Sequence, residues 1–210
     1  AEGQTGLYVV GASSIYKSTN SGNNWQSLVK GYREDFYSIK VINENTIFAC
    51  GDDSRLIKST DGGSTWISNK SGNLTELRDI YFINQTTGFV VGDSNKILKT
   101  ADCGLSWQIT TSSALFPTCI SFCNQNTGIL GCGYGIILKT TDAGNNWVEI
   151  SSYGIITPQK IQMLNQNVVY ATTFSYIGKS TNGGCNWISF YPTSLNYGWY
   201  YGLFFFNENT

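Results

Sequence analysis

The sequence predicts an all-β chain folded as a five-bladed β-propeller, each blade a four-stranded antiparallel sheet, and three observations predict it. A nine-residue phrase recurs five times: KSTNSGNNW from Lys17, KSTDGGSTW from Lys58, KTADCGLSW from Lys99, KTTDAGNNW from Lys139 and KSTNGGCNW from Lys179. The tryptophans that close it, Trp25, Trp66, Trp107, Trp147 and Trp187, stand 41, 41, 40 and 40 residues apart. That period suits four short strands with their turns. Between the phrases run short β-branched and aromatic stretches broken by Asn, Gly, Asp and Thr, and no window offers a capped amphipathic helix.

The third repeat shows the order of elements. LRDIYFIN, TGFVVGD, NKILKTAD and SWQITT read as four successive strands, lettered A to D here. The recurring phrase falls at the C–D turn and has the form S/T-x-D/N-x-G-x-x-W. Its third residue, Asn20, Asp61, Asp102, Asp142 or Asn182, is expected to cap the turn's own backbone N–H groups. The glycine two places later admits positive φ at little cost, and the tryptophan is expected to pack back across the blade. The chain opens on TGLYVVG (Thr5–Gly11), which aligns with strand B, and ends on YYGLFFFNENT (Tyr200–Thr210), which aligns with strand A and its turn. The expectation is one domain over 1–210, with one blade shared between the N- and C-terminal ends. The same geometry admits strand exchange with a second copy.

STDGGSTW (Ser59–Trp66) resembles the Asp-box, or bacterial neuraminidase repeat, in full; Asn20 and Asn182 replace the Asp in two copies. The wider unit TTGFVVGDSNKILKTADCGLSW (Thr86–Trp107) is similar to the photosystem II assembly and stability factor family of propellers. The resemblance implies that the boxes are structural turns set away from a binding face, and that the chain serves recognition or assembly. Asp boxes also occur in sialidases, sorting receptors and glucanases.

Composition narrows the function further. Charged residues are 13% of the chain and the net charge is −1, too little clustered cation for a nucleic-acid partner. No apolar run approaches a membrane helix. The chain opens at Ala1, as a mature exported protein would, and is rich in Asn, Ser, Thr and Gly, so an extracytoplasmic setting is expected. Asn73 (NLT) and Asn84 (NQT) would be glycosylation sequons there. With no histidine, Ser-His-Asp and Cys-His nucleophiles are excluded. No Cys-x-x-Cys pair is present, so no metal site and no cofactor are expected. Cys50 and Cys132 read as one buried repeat position; the six cysteines are expected to be structural thiols outside disulfides, with Cys119 and Cys132 the first pair to check for one.

Function is then expected on the loops opposite the boxes, where the D–A and B–C connections vary. The candidate ligand-binding residues are Tyr32, Arg33, Asp53, Arg55, Arg78, Tyr134, Tyr176, Tyr197 and Trp199. Loops on a rigid scaffold are the usual seat of binding. Three arginines in an Asp-box chain invite a sialidase reading, but no spacing selects the pair of carboxylates that glycoside hydrolysis needs. A protein partner is expected, with no enzymatic activity. A glycan ligand, recognised by aromatic faces and Asn or Asp side chains, and self-association into an extracellular fibre are the alternatives.

Overall fold

In the computed structural model of the chain, residues 6–29, 33–70, 76–93, 95–111, 116–150, 155, 157–191 and 202 are described. The fold is an all-β, five-bladed propeller with a single three-residue 3-10 turn, η1, at Gly133–Gly135 among the described residues. Among the described residues, antiparallel pairing joins neighbouring strands in every sheet. The N-terminal sheet contains β1 (Leu7–Gly11), β2 (Ser14–Ser18) and β3 (Gln26–Val29). The second contains β4 (Phe36–Val41), β5 (Ile47–Gly51), β6 (Arg55–Ser59) and β7 (Ile67–Lys70). The third contains β8 (Leu77–Phe82), β9 (Gly88–Gly92), β10 (Lys96–Thr100) and β11 (Gln108–Thr111). The fourth contains β12 (Pro117–Phe122), β13 (Gly128–Cys132), β14 (Ile137–Thr140) and β15 (Val148–Glu149). The fifth contains β16 (Lys160–Met163), β17 (Val169–Thr172), β18 (Ile177–Ser180) and β19 (Ile188–Phe190).

The N-terminal sheet supplies strands B, C and D, as the alignment of TGLYVVG predicts. Its expected strand A, from the C-terminal end, lies outside the described residues. The chain divides into two compact units, Ala1–Asp93 with Leu98–Ile109, and Ser94–Ile97 with Thr110–Thr210.

The B strands carry the core. Every residue of β5, β9 and β13 is buried, which explains their continuous apolar runs: a sheet covered on both faces has no polar alternation to show. In the first unit, Phe48 stacks on Phe82 with ring centroids 4.8 Å apart, and Trp107 meets both edge-on at 6.3 Å. In the second, Ile129, Ile137, Ile155, Ile161 and Val169 form one apolar cluster with Cys119 and Tyr176.

The five boxes are built alike. In the second sheet Ser59 Oγ donates to Asp61 Oδ1 (2.8 Å) and accepts the Gly63 N–H (2.8 Å), while Asp61 accepts the Thr65 N–H (2.8 Å) and hydroxyl (2.5 Å). Thr100 with Asp102, Thr140 with Asp142, Ser18 with Asn20 and Ser180 with Asn182 repeat the pattern. The following glycines, Gly22, Gly63, Gly104, Gly144 and Gly184, all have positive φ, as the motif requires. The turn is tied to its own blade's A–B turn, by Gly62 N to Asn45 O (2.9 Å) and Cys103 N to Thr86 O (2.8 Å) in the first unit, and by Ala143 N to Asn126 O (2.9 Å) in the second. The tryptophans are less enclosed than the sequence suggests. Trp25 is 42% exposed and the other four are half-buried, because the D strand they precede is the outer strand of its sheet.

The shared position of Cys50 and Cys132 is corrected. Register places Cys50 opposite Leu56 but Gly131, not Cys132, opposite Ile137. Cys132 therefore stands where the other blades have Gly51 and Gly92. Cys119 pairs with Gly131, and Cys119 and Cys132 are both buried and joined in no disulfide. Burial pushes the Cys132 thiol well above its ordinary pKa, with Cys119 adding to the shift.

Candidate binding face

In the first unit, the loops opposite the boxes are held by backbone before any side chain acts. The Asp52 N–H donates to Asp35 O and the Asp93 N–H to Glu76 O, both at 3.0 Å. Each bond ties a B–C turn to the residue that precedes strand A. The approach leaves no room for a side chain: a Cβ at Gly51 or Gly92 would sit 1.9 Å from the Asp35 or Glu76 carbonyl oxygen. A single bridge between Asp52 and Glu76 joins the second sheet's turn to the third sheet's entry.

On this frame the arginines are paired. Arg55 Nη2 lies 3.0 Å from Glu34 Oε1. Arg78 reaches Glu76 Oε2 through Nη2 at 2.5 Å and Asp93 Oδ1 through Nε at 3.2 Å. Backbone N–H donation first, and then the Arg55 guanidinium, hold the Glu34 carboxyl below its usual pKa. Tyr37 donates to Asp52 Oδ1 at 2.6 Å; burial and that carboxylate raise the phenol above its ordinary pKa. Arg33 is exposed, and among the described residues it has no ion-pair partner. Asp53 is exposed at the tip of the B–C turn, with φ 51°. Six carboxylates, on Glu34, Asp35, Asp52, Asp53, Glu76 and Asp93, thus accompany three guanidinium groups. Arg55 and Arg78 fasten these loops, and among the described guanidinium groups Arg33 is exposed.

In the second unit Tyr134 is 77% exposed. It sits in the turn Gly133–Gly135 with φ 58° and leans edge-on against Phe116, centroids 6.2 Å apart. Tyr176 is corrected: at 5% exposure it belongs to the apolar cluster, and its carbonyl accepts the Thr173 N–H and hydroxyl. A tyrosine in a B–C turn looks exposed from sequence, but this one is buried in the same apolar cluster as Ile155 and Met163. Tyr32, Tyr197, Trp199 and the sequon Asn73 lie outside the described residues. Asn84 is exposed, and its side chain caps the A–B turn at the Thr86 and Thr87 N–H groups. Asn43, Asn124 and Asn165 cap the equivalent turns, which accounts for an asparagine at position 84 without a glycan.

Sequence reasoning also missed a role for the lysine that opens each phrase. Lys17 Nζ donates to Gly62 O (3.1 Å) and Lys58 Nζ to Cys103 O (2.7 Å), each crossing to the next box in its unit. Each ammonium also lies 5.3 Å from a strand B ring, Tyr8 or Phe48. The signal was present, since lysine begins all five copies. Among the described residues no group of side chains could hold a metal ion, and no helix is long and apolar enough to cross a membrane.

A family profile described as photosynthesis system II assembly factor YCF48 matches residues 72–192. The chain belongs to the YCF48 assembly factor family. Among solved structures, one described as YCF48 bound to D1 peptide aligns with TM-score 0.62 and 20% identity, over 77% of this chain and 56% of that one. YCF48 from Cyanidioschyzon merolae aligns with TM-score 0.65 and 15% identity, over 81% and 60%. The chain thus spans little more than half the length of these YCF48 structures. An ancestral GH74 enzyme shares the fold at TM-score 0.72 and 21% identity, covering 90% of this chain and 30% of that one. No curated protein sequence matches the chain.

Proposed function

We propose that this chain is a non-enzymatic assembly propeller that holds a segment of a partner protein on the loops opposite its Asp boxes. Its membership of the YCF48 family over 72–192 carries the reading, supported by a fold shared with YCF48 bound to D1 peptide. Arg33 and Asp53 are the contacts favoured in the first unit and Tyr134, taken by itself, the one favoured in the second, with Tyr32, Tyr197 and Trp199 from the sequence. A rigid frame with exposed aromatics and a few donors is what peptide capture needs. By sequence the first unit's loops carry six carboxylates beside Arg33, Arg55, Arg78, Lys30 and Lys70, two of the guanidinium groups already paired, a near balance that favours a neutral segment over a strongly charged one. An extracytoplasmic setting fits the Asn-, Ser- and Thr-rich surface.

The test is fluorescence anisotropy with labelled peptides tiled along D1, together with Arg33→Ala and Tyr134→Ala proteins. Saturable binding of at least one tile, weakened by either substitution, is the expected result. Binding that neither change alters, or no binding by any tile, would overturn the assignment. Turnover in a glycosidase panel would defeat the non-enzymatic part.

A further inference from the structure

A groove of about 590 Å³ lies in the first unit at the box end of the second blade, away from the loops described above. Tyr8 and Val41 form its apolar floor; Lys17, Glu44 and Asp61 stand around it. Its volume falls within the range of ligand-binding clefts. One blade further on, the matching place is filled from within. Register aligns Val41 with Phe82, since Val41 faces Ile47 as Phe82 faces Gly88. It aligns Tyr8 with Phe48, since Tyr8 faces Lys17 as Phe48 faces Lys58. There the Phe82 ring stacks on Phe48 and meets Trp107. Phe82 and its other counterparts, Phe122 and Met163, are 7%, 5% and 5% exposed, whereas Val41 is 39% exposed.

In the third and fourth blades a glycine makes room for the ring. Phe82 and Phe122 lie over Gly88 and Gly128, where a Cβ would come within 2.7 and 2.5 Å of the ring. Ile47 occupies that ground in the second blade and is fully buried, so strand A ends on a smaller side chain. Among the described residues, no side chain fills the space beside Tyr8.

We propose that this groove receives an aromatic side chain of a partner peptide, flanked by a basic residue. The occupant's ring is the one the next blade supplies internally. The charge follows from the rim: the Lys17 ammonium is engaged by the Gly62 carbonyl, while Glu44 is exposed on the A–B turn and Asp61 is held ionised by the Thr65 hydroxyl and N–H and the Ser59 hydroxyl. Two carboxylates against one ammonium favour a cation beside the ring.

The test is amide-resolved NMR titration of the whole chain with three probes, acetyl-Phe-Lys-amide, acetyl-Phe-Glu-amide and acetyl-Ala-Lys-amide. The first should give saturable shifts at Gly6, Tyr8, Glu44 and Gly62, the second weaker ones and the third none. Val41→Phe, which places a ring in the groove, should abolish them. Glu44→Lys, on an exposed turn, should reverse the preference between the first two probes and covers the case in which Val41→Phe fails to fold. No saturable shift with any probe, shifts confined to the opposite loops, or unchanged shifts in a folded Val41→Phe or Glu44→Lys protein would each overturn the proposal.

Discussion

Replacing Thr100 by valine tests what the repeated phrase does for stability. Thr100 is 1% exposed, and its hydroxyl donates to Asp102 Oδ1 (2.7 Å) and accepts the N–H of buried Gly104 (2.8 Å). Valine keeps the shape and removes those bonds together with the longer one donated by the Asp102 N–H (3.3 Å). Asp102 stands at the surface and exchanges its lost donor for water. Gly104 N–H cannot, and a buried donor stripped of its acceptor costs about 1–3 kcal/mol. At roughly 2–4 °C per kcal/mol for a chain of this size, the melting temperature should fall by about 4–8 °C for a mid-range loss of about 2 kcal/mol. Thr100→Ser is the control. Serine stands at the same place in three boxes, Ser18, Ser59 and Ser180, and only a methyl group worth about 0.8 kcal/mol is lost. Calorimetry and urea unfolding at neutral pH should both be read, because stacked repeats can unfold in parts. If the valine protein proves as stable as the serine protein, the hydroxyl is not what holds the turn.

Four further outcomes follow from the same structure. Asp61, Asp102 and Asp142 are held at a pKa of about 2 by hydrogen bonds within their boxes; a depressed carboxyl pKa stabilises above its unfolded value and loses that contribution as pH falls through the folded one. The urea midpoint should therefore hold from neutral pH to about 4 and decline toward 2, and Asp61→Asn, which copies the boxes at Asn20 and Asn182, should flatten part of that decline. Gly92→Ala forces a methyl group onto the Glu76 carbonyl and should cost about 1–3 kcal/mol, read by chemical denaturation. Arg55→Ala should disturb the loops through unpaired Glu34 and weaken partner binding less than Arg33→Ala does, as anisotropy would show. Cys185 is exposed and should react with a maleimide at once, while buried Cys50, Cys119 and Cys132 should label only on unfolding, as timed mass spectrometry would report.

The blades and boxes were legible in the sequence because their signals are local. A capping Asp, a glycine two residues on and a strand of β-branched residues each declare themselves within nine residues. The binding loops were legible only as positions. Nothing near Arg55 or Arg78 in the sequence says that Glu34 and Asp93 reach them, since those partners come from separate loops. Tyr176 read as a rim aromatic because turn tyrosines usually face water, and only tertiary packing shows this one turned inward. Cys132 read as the mate of Cys50 because both precede a glycine; the strand register displaces it by one residue. Val41 looked like any strand residue until Phe82 and Phe122 showed what its place normally holds.

The lysine that opens the phrase has a consequence for how such a chain changes over generations. Lys17 meets the box of the following repeat at Gly62, Lys58 meets the next at Cys103, and Lys139 Nζ lies against Gly183. In the first unit a repeat thus carries a cation that reaches forward, and the next box supplies the main-chain oxygen that receives it. The receiving atom is backbone, so it survives whatever residue stands there, and Gly62 and Cys103 serve equally. A duplicated repeat would arrive with both fittings in place, and an excised one would leave two neighbours that still match. Blade number can therefore drift by whole units without new side-chain chemistry at the joints, while the loops at the other end remain free to vary.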